Sequence, residues 1–214
     1  MPVTLLYASC AAHSRARILE RSCAGTVPSR QLLIPLRIEE LTLQVLFVCT
    51  GNICRSPTAE RLATAYCTRT GINGLTASSA GTRAVVAHAI HHDAAATLAN
   101  LGGDSSNFAA RRLTRKVAAT ADLILTMTRG HRTSVLEVAP HKLHQTFTLA
   151  EAARLVTECG ARQIDALANL RSQLAGDEDL DILDPIGQSP DVFAAVGQQI
   201  ADLLPPVLEL CRPE

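Results

Sequence analysis

Two hydrophobic patterns alternate along the chain after about residue 41. Short apolar runs, such as residues 45–49 and 123–127, are typical of buried parallel strands. Longer stretches carry apolar side chains at helical spacing, as residues 57–70 do before Gly71, where a helix is predicted to end. Strands are predicted over residues 45–49, 75–79, 123–127 and 143–146, and helices over 57–70, 93–101, 128–138, 149–158, 161–175 and from Ser189-Pro190 onward, with a disturbance near Pro205-Pro206. This alternation predicts an α/β fold, in which a single parallel four-stranded sheet carries helices on both faces.

The first 40 residues lack such a pattern. They contain several scattered arginines and serines, and no long apolar core of the kind that a secretory signal has. We therefore predict an N-terminal extension over residues 1–40, poorly ordered, followed by one domain over residues 41–214. A regulatory arm and a start upstream of the natural one are the alternatives for this extension.

Charge and composition exclude several classes of function. Basic and acidic side chains number 20 each and no basic run occurs, so nucleic acid is not an expected partner. No apolar run approaches the roughly 20 residues that a membrane-spanning helix needs, so no membrane association is expected. The seven cysteines form neither a disulfide framework nor a paired metal motif, which favours a reducing compartment, the cytoplasm.

The segment after the first predicted strand carries the chemistry. Cys49 ends the apolar run, Arg55 follows six positions later, and Ser56-Pro57 can open a helix. A strand, a tight loop and a helix N-terminus together form a nest of N–H groups that binds anions. That field stabilises a thiolate at Cys49, and the planar guanidinium of Arg55 matches two phosphate oxygens. The predicted phosphate-binding loop comprises Thr50, Gly51, Asn52, Ile53, Cys54, Arg55 and Ser56.

Three residues of this loop have further predicted roles. Gly51 and Asn52 tolerate the left-handed backbone that a tight cradle requires. The Ser56 hydroxyl is placed to cap the helix or to donate to the thiolate. The pattern as a whole predicts phosphoryl transfer through a phosphocysteine.

The ten residues from Val48 to Pro57 resemble the low-molecular-weight protein-tyrosine phosphatase family, and the resemblance extends from about Leu43 to the C-terminus. It implies that Cys49 is the nucleophile and that Asp184, in an Asp-Pro pair, is the general acid and base. It also implies that Ser79 supports the loop, and that neither cofactor nor metal is needed. The implied partner is a phosphotyrosine-containing protein, such as an autophosphorylated tyrosine kinase.

The chain departs from this family around its substrate cleft. Members that act on phosphotyrosine usually have an aromatic residue where this chain has Ile186, and another in the loop where it has residues 83–88. Members that act on phosphoarginine have a small polar residue in place of Ile53. Because a bulky apolar Ile53 favours an aryl ester over a charged guanidinium, we expect phosphotyrosine, with protein-arginine phosphatase as the alternative.

Two further alternatives stay open. Related arsenate reductases share the loop but need two more cysteines near the middle of the chain, where this sequence has none between Cys67 and Cys159. A catalytically weak module that binds phosphoproteins would need no chemistry at all. The resemblance further suggests that Cys54 forms a reversible, redox-sensitive disulfide with Cys49.

The histidines are not expected to bind metal. Their spacing lacks a carboxylate ligand pattern, so His88, His91 and His92 are interpreted as a solvated helix cap. The later ones, His131, His141 and His144, are predicted to be surface or hinge residues.

Overall fold

A computed structural model of the chain describes residues 42–174 and 181–212. The predicted N-terminal extension, residues 1–40, lies outside these residues. The helices and strands follow in the order β1 (Leu43–Cys49), α1 (Arg55–Thr70), β2 (Leu75–Gly81), α2 (His92–Asn100), α3 (Arg115–Ala119), β3 (Leu123–Thr126), α4 (Arg129–Val138), a 3-10 helix (Pro140–Gln145), β4 (Thr146–Thr148), α5 (Leu149–Thr157), α6 (Ile164–Leu170), a second 3-10 helix (Arg171–Gln173) and α7 (Pro190–Leu210).

The strands form a parallel sheet in the order β2-β1-β3-β4, so β1 lies in its interior. Successive side chains of a strand point to opposite faces. On β1, Val45 and Phe47 join the core formed with α1, α2, α5 and α7, whereas Leu46 and Val48 join a second core with α3 and α4. The predicted α/β fold, with a four-stranded parallel sheet and helices on both faces, is confirmed.

Helix α1 begins with the last residues of the loop that follows β1, Arg55 and Ser56, and is capped at its C-terminal end. It ends at Gly71, whose φ of 68° is left-handed and whose N–H binds the carbonyl oxygen of Cys67. A glycine takes this conformation without steric cost. The sequence-based prediction that this helix stops at Gly71 is therefore confirmed.

Some predicted boundaries are wrong. The segment predicted as a fourth strand, residues 143–146, is mostly 3-10 helix, and β4 follows it at Thr146–Thr148. The long helix predicted over 161–175 is the shorter α6 with a 3-10 turn after it, and position 175 lies outside the described residues. Helix α3 is five residues long and was not predicted.

Helix α7 continues through Pro205 and Pro206, and a disturbance at these prolines stays a prediction. A proline inside a helix costs about 3 kcal/mol because it removes a hydrogen bond and crowds the preceding turn. Burial of neighbouring apolar side chains, among them Leu204, Val207 and Leu208, offsets this cost as α7 packs against α1, α2 and α5. Among the described residues, no helix is long and apolar enough to cross a bilayer.

Candidate active site

The loop after β1 is held through its carbonyl oxygens. Backbone N–H groups of the segment 82–91 bind the carbonyl oxygens of Cys49, Thr50, Gly51 and Ile53 at 2.7–2.9 Å. In the part of the chain that the structure describes, the N–H groups of residues 50–56, here called the anion loop, donate to no other group. Backbone donors left without a protein partner are costly unless solvent or a ligand accepts from them. This loop is therefore built to receive an anion.

A buried asparagine holds the anion loop in shape. Asn52 has φ 56° and is completely buried. Its Nδ2 donates to Ser56 Oγ at 3.0 Å and to Ser79 Oγ at 2.8 Å, and its Oδ1 accepts from the N–H of Arg111 at 2.8 Å. Ser79 Oγ in turn donates to Glu60 Oε2 at 2.6 Å. Every polar atom of the Asn52 side chain is satisfied, which fixes one loop geometry.

The left-handed backbone predicted for this loop occurs at Asn52 alone. Gly51 does not have a positive φ, so that part of the prediction is wrong. A Cβ built on Gly51 would lie 3.4 Å from Ile53 and 3.7 Å from Val85. The absence of a side chain at Gly51 therefore leaves room beside two apolar side chains rather than serving the backbone.

Cys49 lies at the end of β1, beneath the N-terminus of α1. Its Sγ is 2.9 Å from Ser56 Oγ. A Cys49 thiolate carries no hydrogen, so in that state Ser56 Oγ–H is the donor to the sulfur while Ser56 Oγ accepts from Asn52. A hydroxyl donor and a helix N-terminus both stabilise a thiolate.

The neighbouring Cys54 has a different character. It is buried at the base of the loop, and burial, together with the nearby Cys49, raises the pKa of its thiol to about 12. Cys54 is therefore a neutral thiol at ordinary pH. The suggested disulfide between these two cysteines stays a prediction.

Arg55 and Asp184 meet across the cleft. Arg55 is buried, and its Nη1 donates to the carbonyl oxygen of Ile182 at 2.9 Å while its Nη2 donates to Asp184 Oδ2 at 2.6 Å. The Asp184 side chain is 47% exposed, and its Oδ1 accepts from the N–H of Ile186 at 3.3 Å. The guanidinium is thus held in the cleft, while the carboxylate stands at its mouth.

The cleft is small and has apolar walls. It encloses about 250 Å³ and is lined by Cys49, Thr50, Gly51, Ile53, Cys54, Arg55, Arg83, Val85, Asp184 and Ile186. Val85 and Ile186 are partly exposed at its mouth, 39% and 47% respectively. With Ile53 they provide an apolar surface on which a flat ring can pack.

His131 was missed as a site residue, and its predicted place on the surface or at a hinge is wrong. It is buried, with Nε2 2.8 Å from Thr50 Oγ1 and Nδ1 2.8 Å from Thr128 Oγ1. Burial, followed by the charge of Arg55, lowers the pKa of His131 to about 4. The neutral ring therefore links the anion loop to the start of α4. His141 and His144 are exposed, as expected.

One histidine group could hold a metal ion. The ligand atoms of His91, His92 and Asp93 all lie within 4.8 Å of one another, so the carboxylate overlooked in the sequence is Asp93. His91 also stacks on Phe193, with ring centroids 5.0 Å apart, and immediately precedes α2. That the chemistry uses no metal stays a prediction.

The structure brings together Cys49, Arg55, Ser56, Ser79 and Asp184, the residues singled out in the sequence. Sequence reasoning did not find Glu60, Arg111, His131 or Ile182, which hold these residues in place. Glu60 lies four positions after Ser56 on α1, a spacing that could have suggested it. The other three reach the site only through the folding of distant segments.

Comparison with known proteins agrees with this geometry. The family "Low molecular weight phosphotyrosine protein phosphatase" matches residues 44–158. The low molecular weight protein-tyrosine-phosphatase Etp of Escherichia coli K12 is 38% identical over 107 residues, which cover 50% of this chain and 69% of Etp.

Solved structures extend the likeness across most of the described residues. The low molecular weight protein tyrosine phosphatase from T. tengcongensis has a TM-score of 0.64 at 28% identity, covering 78% of this chain and 99% of that one. The YwlE arginine phosphatase from Geobacillus stearothermophilus has a TM-score of 0.61 at 27% identity, covering 78% and 91%. The chain is thus similar to enzymes with two named substrate types.

Proposed function

Because this chain belongs to the low molecular weight phosphotyrosine protein phosphatase family, we propose that it hydrolyses phosphotyrosine in proteins through a phosphocysteine intermediate. One observation carries the proposal: the anion loop, whose N–H groups have no protein acceptor among the described residues, places Cys49 and Arg55 in one cleft with Asp184 at its mouth. Residues 41–214 would form the catalytic domain.

The first chemical step uses Cys49 and Asp184. The phosphate dianion is held by the loop N–H groups and Arg55, and the Cys49 thiolate attacks phosphorus. The bond between phosphorus and the tyrosine oxygen breaks, and Asp184 gives a proton to the leaving phenolate. Its place at the cleft mouth, half exposed, suits a group that meets the leaving oxygen rather than the phosphate.

The second step releases phosphate. Asp184, now ionised, takes a proton from a water molecule as that water attacks the phosphorus of the phosphocysteine. The bond between phosphorus and sulfur breaks and the Cys49 thiolate leaves, stabilised by the Ser56 hydroxyl. The positive charge of Arg55 and the loop dipoles do the work that a metal ion does in other phosphatases.

Phosphotyrosine is the substrate that the cleft walls favour. Ile53, Val85 and Ile186 present apolar surface to the leaving group, and burial of an aryl ring against them is favourable. A phosphoarginine substrate would bring a polar guanidinium against these three apolar side chains, which cannot accept hydrogen bonds from its N–H groups. The partner is therefore a phosphotyrosine protein, such as a tyrosine kinase, and the proposed location is the cytoplasm, where thiols stay reduced.

The test is hydrolysis of an aryl phosphate in the presence of EDTA. We expect wild-type activity, none with Cys49→Ser, and full activity with Cys159→Ser, a control cysteine outside the cleft. Trapping of a phosphorylated enzyme at Cys49 after acid quenching would support the covalent intermediate. Activity that survives Cys49→Ser, or that requires a metal ion, would overturn the proposal.

A further inference from the structure

A second groove lies beside the cleft that contains Cys49 and Arg55, which is called the phosphate cleft from here on. It encloses about 410 Å³ and is lined by Thr50, Thr82, Arg83, Leu113, Thr128, Gly130, His131, Ser134, Glu137 and Val138. Thr50 and Arg83 line both this groove and the phosphate cleft. A polypeptide whose phosphotyrosine occupies the cleft can therefore continue directly into the groove.

Arg83 lies at the junction of the two. Its backbone N–H is fixed to the carbonyl oxygen of Thr50 at 2.9 Å, so its position is tied to the anion loop. Its side chain is exposed, and within residues 42–174 and 181–212 no carboxylate pairs with it. A fixed backbone and an unpaired guanidinium leave this charge available to a ligand.

The two charged side chains of the groove, Arg83 and Glu137, lie at its opposite ends. Glu137 lies six residues after His131 on α4, about 9 Å farther along the helix axis. His131 contacts Thr50 in the anion loop, so Arg83 marks the end of the groove nearest the phosphate and Glu137 the distant end. An acidic group close to the phosphotyrosine would thus meet the cation before it meets the carboxylate.

We propose that this groove binds the polypeptide that flanks the phosphotyrosine, and that Arg83 is a specificity residue that binds an oxyanion within one or two residues of it. The oxyanion is either an Asp or Glu carboxylate or a second phosphate, since the fork of a guanidinium matches both. This inference rests on the proposed phosphatase function and adds to it a preference for acidic sequence around the phosphotyrosine.

The test compares phosphotyrosine peptides that differ at one flanking position. The flanking residue is Asp, the neutral isostere Asn, or a second phosphorylated residue, placed in turn on either side of the phosphotyrosine. Because exposed ion pairs contribute up to about 1 kcal/mol, we expect kcat/KM of the wild type to favour Asp over Asn by about threefold to fivefold at one position. A second phosphate should give a larger preference, and added salt should reduce both.

Substitutions then assign the preference to a residue. In Arg83→Gln the ratio of kcat/KM for Asp and Asn peptides should fall to about one. Arg69→Gln is the matched control, because it removes the same charge from an exposed residue about 21 Å along α1 from Arg55, and it should keep the wild-type ratio. A wild-type ratio of one at every position, or an unchanged ratio in Arg83→Gln, would overturn the proposal.

Binding separates this proposal from the proposed function. Calorimetry with the inactive Cys49→Ser variant measures peptide affinity without turnover, and the Asp peptide should bind more tightly than the Asn peptide. If the peptides bind with this preference but the wild type hydrolyses none of them, the catalytic proposal is wrong and the proposed role of the groove and Arg83 is retained. If the wild type hydrolyses them all equally, and they bind equally, the groove proposal fails and the catalytic one stands.

Discussion

Arg55 and Asp184 are separated by 129 positions in the chain, yet Arg55 Nη2 lies 2.6 Å from Asp184 Oδ2. In the proposed reaction Arg55 also binds the phosphate, so the carboxylate and the phosphate compete for its guanidinium. The second anchor of Arg55, from Nη1 to the carbonyl oxygen of Ile182, does not involve Asp184. Binding of substrate would thus release Asp184 from Arg55 and leave it facing the leaving group.

This competition gives the first prediction. Asp184→Asn should lower kcat for a phosphotyrosine peptide by about 10²-fold or more, because general acid catalysis is lost. The same variant should bind inorganic phosphate about threefold to tenfold more tightly, because a negative charge near the anion is removed. Steady-state kinetics with phosphate as a competitive inhibitor measures both.

The matched control for this prediction is Asp165→Asn, an exposed carboxylate on α6 that should leave both quantities unchanged. Weaker phosphate binding in Asp184→Asn would show that the contact with Arg55 organises the site rather than competing with the ligand.

The second prediction concerns Ile53, which lines the phosphate cleft. Replacement by Thr removes apolar surface and should lower kcat/KM for a phosphotyrosine peptide by about fivefold, which corresponds to roughly 1 kcal/mol of lost burial. Relative turnover of a phosphoarginine peptide should rise in the same variant. Ile53→Val keeps the branched apolar shape and serves as the control. Equal turnover of both peptides by the wild type would contradict the proposed substrate.

The third prediction concerns Asn52, whose buried side chain makes three hydrogen bonds. Asn52→Ala should lower the free energy of unfolding by about 3 kcal/mol, since it leaves partners unsatisfied, and should nearly abolish activity. Asn52→Gly separates two causes, because glycine accepts the φ of 56° but lacks the hydrogen bonds. Urea unfolding measures the stability of each variant. If Asn52→Gly matched the wild type, the backbone conformation rather than the network would be the important feature.

The fourth prediction is a pH dependence caused by His131. Its pKa is lowered to about 4 by burial and then by Arg55, whereas an unfolded histidine titrates near 6.5. Between these values the unfolded chain binds more protons, so the stability that neutral His131 provides is complete above about pH 6.5 and is lost as the pH falls toward 4.

Urea unfolding at about pH 7.5 and 5.0 tests this dependence. The free energy of unfolding should decrease more in the wild type than in His131→Gln, which does not titrate. His141→Gln, which changes an exposed ring, should follow the wild type. Parallel decreases in the wild type and in His131→Gln would contradict the role assigned to burial.

Local sequence was enough to predict the fold class, and it singled out residues that the structure brings together, whose catalytic roles stay predictions. Residues 45–57 carry an apolar strand, a loop and a helix start in one uninterrupted segment, and an Asp-Pro pair restricts its own backbone. Helix α3 was missed because five residues are too short to show a helical period. The segment before β4 was misread because its four residues, 143–146, are too few to separate a strand from a 3-10 turn by periodicity.

The roles of Arg111 and His131 could not be predicted, for a different reason. Arg111 and His131 act through contacts with Asn52 and Thr50, which lie 59 and 81 positions away. No local sequence pattern identifies an arginine whose backbone N–H donates to the side chain of a distant asparagine. The same is true of a histidine whose ring is buried between two hydroxyl groups. Such roles follow only from the order of strands in the sheet, which brings loops from different parts of the chain to one edge.

Helix α7 packs against α1, so the active site can be complete only after α7 has been synthesised. Helix α1 starts at Arg55, and Asp184 comes only six residues before α7, so the parts of the site are synthesised far apart in time. A chain still in the ribosomal exit tunnel has its nucleophile but neither its acid nor the helix that seats α1. Newly made copies should therefore be inactive toward phosphoproteins until α7 has been synthesised. During refolding, the rate at which phosphatase activity returns should equal the rate at which α7 packs against α1.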